Sequence, residues 1–168
     1  RPERTYEKGH VFPISIPDRF KEADERIIDW RTVGKIKNPL RLYVHIPWCK
    51  SKCIFCFYES DLGVPSEDSV DVYLSAIGKE LELYSQRIGR KKLETETLYI
   101  GGGTPSILTP KQIDRLFEVL GTHVQFRPDA FLIAESSPGT LTKEKVEAFK
   151  RNGVNRMSIG MQTLDDKI

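Results

Sequence analysis

The chain has 168 residues, of which 39% are hydrophobic, and a formal net charge of +2 from 26 Lys and Arg against 24 Asp and Glu. That length suits one ordinary domain with a buried core. So balanced a charge excludes the electrostatic footprint of a nucleic-acid or acidic-membrane binder, and the longest apolar run, Ala130 to Ala134, falls far short of the roughly 20 residues that span a bilayer.

Three cysteines, Cys49, Cys53 and Cys56, are an odd number on one short stretch, which is not a disulfide framework, and no secretory signal opens the chain. A soluble protein of a reducing, cytoplasmic setting is expected. The first residue is Arg1 and the only methionines are Met157 and Met161, so the sequence reads as a fragment of a longer chain.

Residues 1–39 read as an N-terminal extension with a Pro-rich stretch from Phe12 to Pro17, a short helix over Asp18 to Trp30 and a turn at Asn38-Pro39. From residue 40 onward strand-like runs alternate with helical patterns, the signature of βα units and a parallel sheet. A first strand is expected over Arg41 to Ile46 and a helix over Glu67 to Gly89, capped by Ser66 and striped by Val70, Tyr73, Leu74, Ile77, Leu81, Tyr84 and Ile88. The second strand, Glu96 to Ile100, runs into Gly101-Gly102-Gly103. Thr109-Pro110-Lys111-Gln112 is a capping box with Pro at the first helical position, and Gly121 is expected to stop that helix. A third strand over Ala130 to Ala134 precedes a helix capped by Thr142, with Leu141 and Val146 as a hydrophobic staple and Asn152-Gly153 as its end. The fourth strand is Asn155 to Ile159.

Side chains alternate along a strand. Leu42, Val44 and Ile46 therefore share one face while Tyr43 and His45 share the other, and Met157 and Ile159 oppose Arg156 and Ser158. Parallel strands buried on both sides would be apolar on both. A polar second face points instead to a lumen shaped around a ligand.

In parallel α/β folds, ligands collect at the carboxyl ends of the strands, and every unusual residue falls there. Strand one leads into Cys49-x3-Cys53-x2-Cys56, strand two into Gly101-Gly102-Gly103-Thr104-Pro105, strand three into Glu135, and strand four into Gly160-Met161-Gln162. Three thiolates on one loop suit an iron-sulfur cluster or zinc. Structural zinc normally takes four protein ligands, which only His45 would complete, and its strand position makes that awkward; a redox disulfide would leave one cysteine over. A cluster is favoured, with zinc and inert thiols as alternatives. Three cysteines on a four-iron cluster leave one iron open to an exogenous ligand, as in catalytic metal sites.

Trp48, Phe55, Phe57 and Tyr58 surround the cysteines as an apolar shell that limits solvent access and tunes potential, although Trp48 and Phe57 read equally well as core. Three glycines after a strand allow close backbone approach to a ligand, with free N–H groups. A flexible turn is the plainer alternative, and neither the dinucleotide nor the P-loop pattern is present. Glu135 at a strand end can accept hydrogen bonds from a ribose or an amine; a solvated charge is its plain alternative, as it is for Gln162.

Taken together, Tyr43-Val44-His45-Ile46-Pro47 with the cysteine motif, Gly101-Gly102-Gly103-Thr104-Pro105, Glu135-x-x-Pro138-Gly139, and Gly153 to Gly160 followed by Gln162 resemble the radical S-adenosylmethionine enzymes. Within these the likeness is to the oxygen-independent coproporphyrinogen III oxidase-like family, in order from about Leu40 to Ile168, and it displaces the zinc alternative.

The resemblance implies an incomplete TIM-type barrel with four parallel strands over residues 40–168. Further βα units would follow, so this stretch alone is expected to be poorly active, with the fourth strand an open edge. It implies a [4Fe-4S] cluster on Cys49, Cys53 and Cys56, with the open iron chelated by S-adenosylmethionine. One electron then cleaves that molecule to a 5'-deoxyadenosyl radical. Tyr43 with Gly102, Gly103 and Thr104 would contact its methionine portion or a neighbouring S-adenosylmethionine, Phe55 the adenine side, and Glu135 and Gln162 its polar groups. The implied partners are a small-molecule substrate such as a tetrapyrrole or heme, and an electron donor such as flavodoxin or ferredoxin.

Two departures stand out. The porphyrinogen-oxidising branch resembles Cys-x3-Cys-x2-Cys-x-Cys, and here Phe57 and Tyr58 fill the last two positions, which counts against that branch. Methyltransferase and heme-chaperone branches remain open. Ser137 stands where Asp or Asn often precedes the Pro.

Overall fold

The computed structural model describes residues 39–58 and 60–165. The helix expected over Asp18 to Trp30, the Pro-rich stretch and Asn38 lie outside the described residues.

Four parallel strands form one sheet in the order β1-β4-β5-β6: β1 is Leu40–Ile46, β4 Leu93–Gly102, β5 Val124–Ser136 and β6 Arg156–Ile159. The four strands expected from the sequence are all present. Helices α1 (Glu67–Ile88), α2 (Pro110–His123) and α3 (Lys143–Arg151) connect them. A second, two-stranded parallel sheet pairs β2 (Trp48–Cys49) with β3 (Asp61–Leu62). Two-residue strands are too short to show a periodicity, so no side-chain pattern marks them.

Local chemistry accounts for the helix starts. Ser66 Oγ accepts the N–H of Ser69, Thr109 and Gln112 form the reciprocal capping box with Pro110 behind it, and Thr142 accepts from the N–H of Lys145, each satisfying donors that a helix start leaves open. Gly121 does not stop α2. Val124 is drawn into the core, its N–H bonds to the carbonyl of Leu120, and the chain passes straight from helix to strand.

Two strands are longer than their apolar runs. β4 begins at Leu93 and β5 at Val124, which pair with each other, but the register slips between Thr95 and Thr97, so that Thr95 faces Phe126 and Thr97 faces Phe131. The intervening residues of β5 bulge out around Pro128, which has no N–H for the ladder. That interruption hides the first half of β5 from an alternation test.

The alternation on β1 is borne out. Val44 and Ile46 are buried, as are Leu98, Ile100, Leu132 and Ala134 on the same face, and with Val70, Leu74, Ile113, Leu116, Leu120 and Phe149 of the helices they make one core. On the opposite face Tyr43 pairs in register with Tyr99, and Tyr99 with Ile133. On β6, Met157 packs against the core while Ile159, its expected partner on that face, is 52% exposed. No helix among the described residues is long and apolar enough to cross a membrane.

Candidate functional site

The carboxyl ends of β1, β4 and β5 are sewn together by backbone. β1 turns at Pro47 into β2, and the cysteines that follow lie on a segment whose two ends, β2 and β3, are held side by side. The N–H of Asp61 donates to the carbonyl of Pro47 at 2.8 Å, and that of Gly63 to the carbonyl of Cys49 at 2.8 Å. Cys49 is thus the last residue of a strand. Cys53 and Cys56 lie out on the loop, joined by a turn in which the N–H of Cys56 donates to the carbonyl of Cys53 at 3.0 Å.

All three are free cysteines, Cys53 exposed and the others partly exposed. The described residues include no group of three His, Cys, Asp or Glu side chains drawn together as metal ligands. His45, the fourth ligand weighed for zinc, shares a 3.1 Å hydrogen bond through Nδ1 with the hydroxyl of Tyr43 instead. The donor set, three accessible soft sulfurs within eight positions on a loop anchored at its base, fits a thiolate-held cluster.

The glycine turn is placed differently from the expectation of free N–H groups. The N–H of Gly103 donates to the carbonyl of Ile46 at 2.7 Å, and that of Thr104 to the carbonyl of Trp48 at 2.8 Å. A Cβ on Gly103 would stand 2.5 Å from the carbonyl oxygen of Trp48, and Gly102, at φ +106°, lies against the His45 ring. The turn therefore requires glycine so that its backbone can seat against the start of the cysteine loop. The Thr104 hydroxyl donates to Cys49 Sγ at 3.5 Å, a contact of the kind that tunes a cluster through its sulfurs.

Above the polar face of the sheet sits a second group. Tyr99 donates to Glu135 Oε1 at 2.6 Å, and its ring stacks on that of Tyr43 with centroids 6.0 Å apart and planes 19° from parallel. Tyr73 of α1 donates to the carbonyl of His45. Burial, with the Glu135 charge second, pushes the Tyr43 phenol up to about 12. Burial and the hydrogen bond to Glu135 push Tyr99 to about 12 as well. Burial lowers His45, against a weaker opposing pull from Glu135. Around neutral pH the group therefore presents two neutral phenols and an uncharged imidazole beside Glu135.

Of the residues singled out from sequence, Tyr43 and Glu135 meet in this group with Gly101 and Gly102 beside them, and Gly103 and Thr104 meet Cys49. Phe55 and Gln162 stand apart. Phe55 is 61% exposed on the cysteine loop, and Gln162 is exposed beyond β6 with its amide beside Gly160. Trp48 is core, edge-on to Tyr73, whereas Phe57 is 80% exposed and stacks on Tyr58.

Two features escaped the sequence reading. Tyr99 shares the alternating face of Gly101, opposite Leu98 and Ile100, so its position was readable once β4 was paired with β1. The other is a latch. Lys145 Nζ donates to the carbonyls of Ser106 at 2.6 Å and Thr140 at 2.9 Å, and the hydroxyls of Ser106 and Thr140 are 2.6 Å apart. It ties the turn after β4 to the turn after β5. No motif marks it, because its acceptors are backbone.

The sequence profile of the Radical SAM superfamily matches residues 43–168. The chain is 36% identical over 132 residues to the heme chaperone HemW of Escherichia coli, a match covering 77% of this chain and 33% of that protein. It is 34% identical over 124 residues to the oxygen-independent coproporphyrinogen III oxidase of Bradyrhizobium diazoefficiens, covering 74% and 27%. Among solved structures, the coproporphyrinogen III oxidase HemN of Escherichia coli, described as a Radical SAM enzyme, superposes with a TM-score of 0.72 at 31% identity, over 82% of this chain and 31% of that one. The chain spans about a third of the length of the relatives it matches.

Proposed function

The chain belongs to the Radical SAM superfamily, and from that premise we propose that it is the cluster-bearing part of an enzyme that cleaves S-adenosylmethionine reductively, acting on a tetrapyrrole. The observation that carries this reading is the cysteine loop seated on the glycine turn, with Thr104 on Cys49 Sγ at 3.5 Å. Cys49, Cys53 and Cys56 would hold a [4Fe-4S] cluster, which when bound supplies the one electron that breaks the C–S bond to give a 5'-deoxyadenosyl radical.

The rest falls to the chain's own residues. The Gly103 and Thr104 N–H groups fix the base of the loop at Ile46 and Trp48, so Cys49 presents its sulfur from a set position. Tyr43 and Glu135 stand on the same rim as neutral phenol and carboxylate, suited to a ligand bearing an ammonium, a carboxylate and ribose hydroxyls. Phe55 would cover the adenine and Gln162 would add an amide. The buried helix-facing side of the sheet keeps this rim rigid.

The test uses the full-length protein, reconstituted without oxygen. About four irons per chain are expected, together with 5'-deoxyadenosine formed only when dithionite and S-adenosylmethionine are both present. Absence of both products overturns the reading. Replacing any one of the three cysteines by Ala should remove the cluster absorbance and reduce cleavage to background.

A second reading has its own support. Phe57 and Tyr58 stand where the porphyrinogen-oxidising branch resembles x-Cys, and the chain is 36% identical to a heme chaperone over the matched region. A chaperone would bind heme tightly and leave coproporphyrinogen unchanged. Heme titration beside a porphyrinogen decarboxylation assay separates the two.

A further inference from the structure

We infer that Tyr99 is the positioning residue for Glu135: by holding Oε1 at 2.6 Å it turns the other carboxylate oxygen toward the glycine turn to receive S-adenosylmethionine. This deepens the proposed function and rests on it.

Three observations converge on it. Tyr99 lies on β4, the strand between β1 and β5, so its ring is fixed from both sides; Tyr43 of β1 stacks on it and Glu135 of β5 accepts its hydroxyl hydrogen bond. The space that the second oxygen looks into is kept open by Gly101. A Cβ there would stand 2.9 Å from Glu135 Oε2, 2.9 Å from the Tyr99 ring and 3.2 Å from the Tyr43 ring. Glycine 101 is thus the hole around which the three side chains gather. Finally, a Glu carboxylate at a strand end rotates freely unless one oxygen is tied. A phenol of fixed orientation removes that freedom before the ligand arrives, which is the usual gain of preorganisation.

Tyr99→Phe keeps the ring, the stacking and the strand, and removes only the hydroxyl. Binding of S-adenosylmethionine to reconstituted full-length protein, measured calorimetrically without reductant so that nothing turns over, should weaken about five-fold in Tyr99→Phe. In a Glu135→Ala background, where no carboxylate remains to be held, the same substitution should change affinity by less than about two-fold. During turnover, Tyr99→Phe should raise KM for S-adenosylmethionine and leave kcat nearly unchanged.

An unchanged affinity in Tyr99→Phe, or equal losses in the two backgrounds, overturns the inference and leaves the proposed function standing. A drop in kcat with KM unchanged also overturns it. Failure of the wild-type protein to bind the ligand removes both readings.

Discussion

The sheet rim and the cysteine loop lie next to each other and are built on opposite plans. On the rim, side chains and backbone from three strands bond one another: Tyr99 to Glu135, Tyr43 to His45, Gly103 to Ile46. The loop is fixed at its base by the β2-β3 pair, and beyond it Ile54, Phe55 and Phe57 are all more than half exposed. The rim takes its geometry from the protein core beneath it. The loop takes only its starting point from the core, and its sulfurs are left accessible to a soft metal. Folding energy is therefore concentrated under the rim and thiolate chemistry on the loop, and substitutions should sort by region in stability and in cluster occupancy.

The largest expected effect on stability belongs under the rim. Leu98 is fully buried between the sheet and its helices, and Leu98→Ala should cost about 3 kcal/mol in chemical denaturation, the usual range for a cavity in a packed core. Gly103→Ala should follow at about 2 kcal/mol, since backbone and not a movable side chain meets the new methyl group. Because that backbone is the anchor of Cys49, this variant should also lose cluster occupancy, which Leu98→Ala should not do in the fraction that remains folded. Equal cluster loss in both would erase the distinction between the regions.

Lys145→Met comes next. It leaves the carbonyls of Ser106 and Thr140 without their ammonium donor, and about 1 kcal/mol of stability should be lost. A hydroxyl pair, Ser106 with Thr140, still spans the two turns, so the loss should be partial.

How much of this division was readable from the residues depends on what encodes each part. The strands, helix caps and alternating faces come from local pattern, and β1, α1, α2 and β6 stand close to where side-chain periodicity puts them. The cysteine motif is likewise local. What pattern could not show was contact between segments far apart in sequence: the Tyr99 to Glu135 bond, the Lys145 latch, and the spending of the Gly103 and Thr104 N–H groups on β1 and β2. Gly121 misled for the opposite reason. A glycine late in a helical stripe is a local stop signal, and here the burial of Val124 overrides it.

The rim should also carry the pH dependence of stability. Tyr43 and Tyr99 are each raised to about 12 from an unfolded value near 10. The folded state thus holds its phenolic protons more tightly, and that contribution is intact below pH 10 and lost as pH rises toward 12. His45 acts at the other end. Its value is lowered, so stability is unaffected above about pH 6.5 and falls as pH drops below it and the folded state resists the proton that the unfolded chain accepts. Denaturation midpoints across pH should show both slopes, and Tyr99→Phe should flatten the alkaline one only. An alkaline slope unchanged by that substitution would assign the alkaline response to Tyr43 alone, and one unchanged in Tyr43→Phe as well would place it outside the rim.

The smallest effect on folding is expected out on the loop. Phe57 is 80% exposed and touches Tyr58 with ring centroids 4.7 Å apart. Solvent on its outer side leaves little apolar area to lose, and Phe57→Ala should shift stability by no more than about 0.5 kcal/mol. An apolar ring beside cysteine sulfurs nevertheless limits the access of water and oxygen to whatever they bind. The same variant, reconstituted in the full-length protein, should therefore bleach faster in air than wild type while melting at the same temperature. A lower melting temperature with unchanged bleaching would mean that Phe57 belongs to the packed rim after all. Faster bleaching alone would show that an aromatic with almost no part in folding shields the site next to it.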